Sequence, residues 1–595
     1  MGSPGLSLYR AHCRFWRRVT GIRGEGLSPS TLEALREAEV EPGEFLAGFL
    51  ASLLLPFLPL LPLALLSSFP WYLPSLSLCS SLLLGLLFYL YPFHLQGLRR
   101  SKAREEAVNT VMVLSFALHS RPDLRGAVLQ AAQGEGRLAE DLRRGMVEVE
   151  RRRYGSTREL LTHLAGKWGR VDEGVRTALF DILRSTGERE EALRLRDLSR
   201  APERLLESRE AFLRRELEQL VPLTAAFVIF GSLLIVVGIG LSPLFGMAGM
   251  GLGLRFFLPL CLLVLLSFWI FCLYAGGKRP PTLPPPELPP GPKGPLLLLA
   301  PLCLFLLLSS PFFLHVWRGW GWGDSLWVIW GAAGALYLHA TLSLGPRTRL
   351  REEERRKLGD WEVALGTMGS RMLDGKSMGE ALRETAELME GSELSEQLEE
   401  VARTQERLGV GVGEALFGRG RQGERIRSSL VRSFLKVIVE VRRTSEQAAG
   451  RACMLAGEFL GMLRRVERRF REEMDESLGN LGLMAMLLIP LVCAMSLWAT
   501  GLLSGVSLLV RERAAGAGLA SFPFLPGMVE AGELVLLKLA LGLTSLLLSL
   551  LLAWYLSLLR TGGEEVEFLL TARRMVLVSA LVFTSSYLLL SLVSV

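Results

Sequence analysis

Uncharged stretches of about 20 residues alternate along this chain with segments that are dense in arginine and glutamate. An α-helix of that length crosses the hydrocarbon core of a membrane, which is roughly 30 Å thick. Half of the 595 residues are hydrophobic and 21% are charged, but these averages combine two unlike populations of segments. The alternation excludes an ordinary soluble enzyme and predicts an all-α, polytopic membrane protein.

Nine runs are apolar and long enough to be transmembrane helices. They lie near 45–66, 70–92, 220–242, 254–275, 296–316, 325–345, 480–504, 533–556 and 575–594. The first two contain several prolines, so a kinked pair that forms a re-entrant hairpin is the alternative there.

Basic residues indicate how the spans are oriented. Connections rich in lysine and arginine alternate with connections that hold few, and the formal net charge is +7. Because basic loops stay in the cytoplasm, we expect a multi-pass protein of the cytoplasmic membrane with its N-terminus inside and its C-terminus outside. The connection 505–532 is the exception to this alternation, because it is predicted to lie outside and yet carries Arg511 and Arg513.

The spans divide the chain into eight predicted segments. They are a cytoplasmic head (1–44), a transmembrane pair (45–92), a first cytoplasmic helical domain (93–219), a second pair (220–275), a proline-rich cytoplasmic linker (276–295), a third pair (296–345), a second cytoplasmic helical domain (346–479) and three final transmembrane helices (480–595). Both domains show apolar residues at three- and four-residue spacing between arginine- and glutamate-rich faces, which is typical of helical bundles.

The layout occurs twice, which predicts an internal duplication. Each unit has two spans, a charged domain and two further spans, and the last span is left over. At an offset of 256 positions, Glu140 and Gly155 of the first domain align with Glu396 and Gly411 of the second. Because each unit crosses the membrane an even number of times, the two copies are expected to have the same orientation.

Several stretches, together with this layout, carry a resemblance to a known family. They are the head sequence from Leu35 to Phe45, Tyr91-Pro92 at the end of the second span, the domain openings at 107–133 and 362–388, the proline linker, and the ending that starts with Thr561-Gly-Gly-Glu-Glu. The chain resembles the type II secretion F-domain family, and in particular the archaeal assembly platforms of the archaellum and related type IV pilus-like systems (FlaJ-like and archaeal TadC-like proteins).

The resemblance implies a non-enzymatic platform in the cytoplasmic membrane. Such platforms bind a hexameric secretion ATPase on the cytoplasmic side and help to extract pilin- or archaellin-like subunits into a growing filament or secretion machine. Both a monomer and a homodimer are compatible with the sequence. The first domain has Pro122-Asp123 where members often have a glycine-containing turn, whereas the second domain has Asp374-Gly375-Lys376. The residues that contact partners in the family are therefore difficult to assign to positions of the first domain.

No motif for catalysis, a cofactor or a metal ion is found in the sequence. A P-loop is absent, and Gly409-Val-Gly411-Val-Gly413 follows no predicted strand, so it is read as a loop between helices. The six histidines are scattered, and the seven cysteines lack ligand spacing. We therefore predict that the protein is not an enzyme and has no cofactor and no metal site.

Arginine clusters on the domain helices are the candidate partner-binding residues. They are Arg151, Arg152, Arg153, Arg407, Arg464, Arg465, Arg468 and Arg469. An acidic ATPase surface or anionic lipid headgroups can bind such clusters, and a solvated face balanced by neighbouring glutamates is the alternative interpretation. Nucleic acid is not expected as a partner, because acids nearly cancel bases in each domain and no aromatic residues lie between them.

Lys538 is the exceptional intramembrane charge, because the spans otherwise hold almost no ionisable residue. It either snorkels to the nearby interface or pairs with Glu530 or Glu533. A transporter built from parallel repeats is an alternative function that calls for more polar residues at mid-membrane. A membrane signalling scaffold is another, and it calls for an input or output domain that the sequence does not display.

Overall fold

A computed structural model describes residues 4–54, 72–240, 254–277, 294–317, 324–418, 426–516 and 531–593, apart from 23, 25, 346 and 427. Within these ranges the regular secondary structure is helical, and no strand occurs. Eight of the described helices are long and apolar enough to cross a membrane. The chain is therefore an all-α polytopic membrane protein, as the sequence predicts.

The described helices of the first half begin in the N-terminal head. They are α1 (Pro4–Thr20), α2 (Pro29–Ala38), α3 (Pro42–Leu54), α4 (Tyr72–Ser120), α5 (Leu124–Ala131), α6 (Arg137–Glu150), α7 (Thr157–Gly169), α8 (Glu173–Ser185), α9 (Glu191–Gly240) and α10 (Leu254–Gly277). The predicted span near 45–66 lies mostly outside the described residues, and its first part belongs to the short apolar helix α3.

The second half continues with two spans and a second polar region. Its helices are α11 (Leu296–Trp317), α12 (Leu326–Leu344), α13 (Arg347–Leu373), α14 (Met378–Leu388), α15 (Glu393–Leu408), α16 (Val412–Phe417), α17 (Ser429–Arg442), α18 (Glu446–Leu483), α19 (Ile489–Gly516), α20 (Ala531–Thr561) and α21 (Glu565–Val593). A single π-helical turn, Met484–Leu488, joins α18 to α19. Most of the proline linker, 278–293, lies outside the described residues.

The two polar regions consist of the same number of helical segments in the same order. Domain 1 comprises the end of α4, helices α5 to α8 and the start of α9, and domain 2 comprises α13 to α18. Short polar side chains begin several of these helices: Asp123 caps α5, and Ser377 caps α14 in a capping box with Glu380. Gly375 precedes that cap with a φ of +93°, a left-handed conformation that suits glycine.

The two domains share one hydrophobic core. Phe116 of α4 packs against Phe434 of α17 and Phe459 of α18, with ring centroids 4.7 and 6.4 Å apart. All three rings are buried. At the edge of the core, the Arg121 guanidinium donates a hydrogen bond of 2.7 Å to the Glu440 carbonyl oxygen. The predicted domain boundaries therefore separate two segments of sequence that pack as one body.

Domain 2 is held together by a very close crossing of α13 and α18. A Cβ atom at Gly369 would lie 2.7 Å from the Gly450 carbonyl oxygen and 2.8 Å from the Met454 amide nitrogen. Both are backbone atoms, so the clash is not relieved by a side-chain rotation. In contrast, a Cβ atom at Gly366 on the same helix would meet nothing within 4 Å.

Three helical rods connect the shared core of the domains to the spans. α4 runs from a span into domain 1, α9 runs from domain 1 into a span, and α18 continues through the π turn into α19. α9 alone has 50 residues and is therefore about 75 Å long at the usual rise per residue. The spans form a second core, to which α9, α10, α12 and α18 to α21 contribute.

Phe434→Ala is expected to loosen both domains together. The substitution removes a buried ring from the shared core, which costs about 3–5 kcal/mol. Limited proteolysis of the full-length chain in detergent measures the outcome, and cleavage should become faster in α6 to α8 as well as in α14 to α17. Phe180→Ala, at an exposed ring of α8, is the control. Faster cleavage confined to domain 2 would contradict a shared core.

Gly369→Ala is expected to destabilise the protein, because its methyl group meets the backbone of α18. Such overpacking typically costs about 1–3 kcal/mol. Gly366→Ala is the matched control on the same helix, and we expect it to be neutral or stabilising by up to about 1 kcal/mol because alanine favours the helix. Thermal unfolding in detergent compares the two variants. Equal unfolding temperatures would show that α13 and α18 do not cross this closely.

Candidate functional site

The first predicted arginine cluster lies at the C-terminal end of α6. Arg151 caps the helix, Arg152 has a left-handed φ of +58°, and all three side chains are exposed. The Arg153 guanidinium lies 3.5 Å from the Glu148 carboxylate. Basic groups are favoured at this end of a helix because they face the negative pole of its dipole. The cluster is thus an exposed feature of domain 1.

The remaining predicted arginines lie on two helices of domain 2. Arg407 is exposed in the last turn of α15, and Arg464 pairs with Glu362 of α13 at 2.9 Å. The other three, Arg465, Arg468 and Arg469, are exposed on α18. The candidate residues are therefore distributed over three helices, α6, α15 and α18, instead of forming one site.

Lys538 is buried, and it pairs with a residue other than the two glutamates that the sequence suggests as partners. Its ammonium group lies 2.7 Å from the Asp324 carboxylate and 4.3 Å from the centre of the Tyr587 ring. Only 8% of Lys538 is exposed, whereas the Asp324 side chain is 49% exposed at the start of α12. Glu530, one of the two expected partners, lies outside the described residues. The pair that the structure shows joins α20 to the segment that precedes α12.

A buried ion-pair network joins domain 2 to the loop between α20 and α21. The Arg351 guanidinium lies 2.9 Å from the Glu564 carboxylate and 2.8 Å from the Glu567 carboxylate. Arg560 lies between Glu567, at 3.7 Å, and Asp475 of α18, at 3.3 Å. We call these five residues the junction network. It connects the first and last helices of domain 2 to the last two spans.

Local structure explains why the α20–α21 loop presents its acids to Arg351. Gly562 and Gly563 take φ values of +78° and +83°, and their amides bond back to the carbonyls near the end of α20. This left-handed ending turns the chain sharply. The next helix begins at once, with acidic residues in its first turn, where the helix dipole stabilises negative charge.

Burial makes the pair of Arg351 and Glu564 the most sensitive part of the junction network. Arg351 has a side chain that is 7% exposed, and that of Glu564 is 12% exposed. Nearby, Lys357 lies 2.6 Å from Glu393 and 3.2 Å from Glu354. Burial opposes the charge of Lys357, but the hydrogen bonds to the two carboxylates outweigh it and raise the pKa of Lys357. Lys357 thus keeps its charge because of these two carboxylate partners.

A cavity of about 650 Å³ opens between the two domains and this loop. Arg351, Glu564 and Glu567 of the junction network line one side, and Lys102 and Glu106 of α4 line the other. Eight acidic side chains face it against four basic ones. An excess of acids repels phosphate groups, so the cavity does not suit a nucleotide. The cavity therefore lies where the shared core of the domains meets the loop between the last two spans.

The contacts place the head, the two domains and the α20–α21 loop on the same side of the spans as one another. Arg100, beyond the apolar half of α4, pairs with Glu33 of α2 at 2.9 Å, and Arg351 reaches Glu564. Asp324 and Lys538 lie near the ends of α12 and α20 that are farther from the domains. The head, the two domains and the α20–α21 loop, as far as the structure describes them, therefore lie at one end of the apolar helices.

The described residues contain no group of three His, Cys, Asp or Glu side chains that is arranged to hold a metal ion. The glycine-rich segment near Gly409 ends α15 and begins α16, so in the structure it is a loop between helices. The chain matches no family model, no curated protein and no solved structure. The function is therefore argued from the geometry of the domains and of the junction network.

Sequence reasoning missed the junction network, although its parts were visible. In the sequence, Thr561-Gly-Gly-Glu-Glu is one of the stretches that carry the family resemblance, and Arg560 precedes it directly. The signal that was available is the pairing of a two-glycine helix end with an acidic helix start. It predicts a sharp turn with exposed carboxylates, and it does not say which basic residue will meet them.

Arg351→Gln is expected to destabilise the junction, because it leaves Glu564 and Glu567 without their shared cation. Removing one partner of a buried ion pair typically costs about 3–5 kcal/mol. Thermal unfolding in detergent measures the loss, and Arg349→Gln, at an exposed position of the same helix, is the control. Adding Glu564→Gln to Arg351→Gln should recover part of the loss. Equal stability of the two single variants would mean that the network does not hold domain 2 to the loop.

Proposed function

We propose that this chain is a non-enzymatic assembly platform of the cytoplasmic membrane for a type IV pilus-like filament or secretion machine, such as an archaellum, a pilus or a type II secretion system. It couples a cytoplasmic hexameric ATPase to the extraction of pilin- or archaellin-like subunits from the bilayer. In this proposal the two domains and the N-terminus face the cytoplasm and the C-terminus lies outside.

The observation that carries the proposal is the continuity between the shared domain core and the spans. Three helical rods leave that core and enter the membrane, and the junction network ties domain 2 to the last two spans. A partner that displaces the domains therefore also displaces the spans. A protein that passes on mechanical work needs this coupling, and it needs no catalytic centre of its own.

The surfaces of the domains support a motor as the partner. The arginines of α6 and α18 are exposed on helices that belong to the rigid body formed by the shared core. Exposed basic groups attract an acidic protein surface and orient it. The family resemblance of the sequence points to the same class of partner, a hexameric secretion ATPase.

Binding of the ATPase to the full-length chain tests the proposal. The full chain is required because the domains share one core, so a separate domain exposes buried rings such as Phe434. We expect the purified chain in detergent to bind the hexameric secretion ATPase of its own cell. The triple variant Arg465→Glu, Arg468→Glu, Arg469→Glu should weaken binding at least roughly tenfold.

The triple variant Arg151→Glu, Arg152→Glu, Arg153→Glu is the matched comparison, because it changes the net charge by the same amount at the other candidate docking surface, beside α6. Unequal effects of the two triples identify the docking face, whereas equal effects indicate a general response to charge. No binding by the unaltered chain would contradict the proposal.

A transporter is the second candidate function, and the ion pair between the buried Lys538 and the half-exposed Asp324 is the observation that favours it. Charged pairs among spans often serve ion or solute pathways. The pair lies near one end of α12, where a structural role is also available to it. Solute movement into vesicles that contain the purified chain, abolished by Lys538→Met, would favour this function over the platform.

A further inference from the structure

Helix α1 has two apolar faces, and only one of them is used in the fold. Tyr9 and Cys13 are buried against α3 and α4. Leu8, Phe15 and Val19 lie on a second face and are 71%, 60% and 61% exposed. Their spacing of seven and four residues places them along one line of the helix.

The buried face fixes the depth of α1 relative to the spans. The Tyr9 hydroxyl donates a hydrogen bond of 3.3 Å to the Phe88 carbonyl oxygen, and the Tyr9 ring lies 4.6 Å from the Phe88 ring. His12 lies 3.2 Å from the Ser52 hydroxyl. Phe88 lies four residues before the end of the predicted span 70–92, and Ser52 lies in the apolar helix α3, within the predicted span 45–66. α1 is therefore seated where the spans leave the hydrocarbon.

Arginines border the exposed apolar line. Arg14 and Arg18 lie on the edge of the line that faces away from Tyr9 and Cys13 and are exposed, and among the described residues no acidic group is recorded within ion-pair distance of them. Arg10 and Arg17, by comparison, pair with Glu39 and with Glu41 and Glu44. Two arginines of α1 are thus occupied within the head, and two are available to an outside partner.

We propose that α1 is an interfacial anchor that binds the surface of an anionic bilayer. Leu8, Phe15 and Val19 enter the boundary between headgroups and acyl chains, and Arg14 and Arg18 contact lipid phosphates. An amphipathic helix with large apolar residues on one face and arginines beside them has the composition of a helix that lies in this plane. Juxtamembrane basic residues are attracted to anionic lipid.

The depth of α1 favours lipid over a soluble protein partner or water. At the level of Phe88 and Ser52, the surroundings of the protein are acyl chains and headgroups, and a soluble partner does not reach that level without displacing lipid. Three large exposed apolar side chains in line are also costly to leave in water. The anchor further explains why the head is packed against α4 by its rings, since this holds α1 in the plane of the interface.

Spin labels on the full-length chain test the proposal in vesicles of phosphatidylcholine and phosphatidylglycerol. Cys79 and Cys303, the two exposed cysteines, are replaced by serine, and the buried cysteines are left in place. A label at Phe15→Cys should be relaxed by oxygen, which concentrates among acyl chains, and shielded from a water-soluble nickel complex. A label at Ser30→Cys, at an exposed position of α2 in the same head, is the matched control and should show the reverse.

Two results would overturn the proposal. A label at position 15 that is open to the nickel complex means that the line faces water. A label shielded from both relaxation agents means that another protein segment covers it. Because Phe15 lies on the exposed face, its replacement does not remove a core contact, and retention of the fold is checked by comparing the thermal unfolding of the Phe15→Cys variant with that of the Ser30→Cys variant.

Charge reversal tests the lipid preference separately. Arg18→Glu is expected to lower the ratio of lipid-seated to water-exposed label at position 15 roughly tenfold on vesicles with phosphatidylglycerol, and to have little effect on phosphatidylcholine alone. Arg36→Glu, an exposed arginine of α2, is the matched control and should leave the ratio unchanged. Equal effects of the two variants, or an effect that does not depend on phosphatidylglycerol, would overturn the anionic preference.

Discussion

The packing of Phe116 against Phe434 and Phe459 is the contact on which the rest of the polar region depends. It joins a helix of the first repeat to two helices of the second and makes the domains one body. Each domain of this size on its own would bury a smaller fraction of its surface and would be less stable. Because the body is shared, a force on either domain acts on all three rods that enter the membrane.

The junction network adds a second route from the domains to the spans, of a different physical kind. The rods act through continuous backbone, whereas Arg351, Glu564 and Glu567 act through charges that are removed from water. A buried ion pair contributes little net stability but is costly to break on one side. The network therefore fixes the position of the α20–α21 loop relative to domain 2 more than it strengthens the fold, and a position fixed in this way changes sharply when one member is displaced.

Sequence reasoning predicted the features that depend on neighbouring residues. Hydrophobicity and charge are local, so the all-α class and the spans from α4 to α21 follow from the sequence, and eight predicted spans coincide with eight helices of the structure. The contacts between distant segments were not predictable in the same way. Arg351 and Glu567 are 216 positions apart, and Asp324 and Lys538 are 214 apart. Several acidic residues of the sequence are equally suitable partners for a buried cation, and only the three-dimensional fold determines which of them lies next to it.

The three rods are not equivalent, and the difference lies where α18 becomes a span. The Ile489 amide bonds to the Met484 carbonyl across a π turn, and the next residue, Pro490, has no amide hydrogen to offer to Ala485. Ser549 of α20 donates to that Ala485 carbonyl oxygen at 3.4 Å. Among the described helices this is the one π turn, and such turns are rare and frequently occur at functional sites. α20 therefore contacts this rod where its helical hydrogen bonding changes, and α20 ends in the loop that carries Glu564.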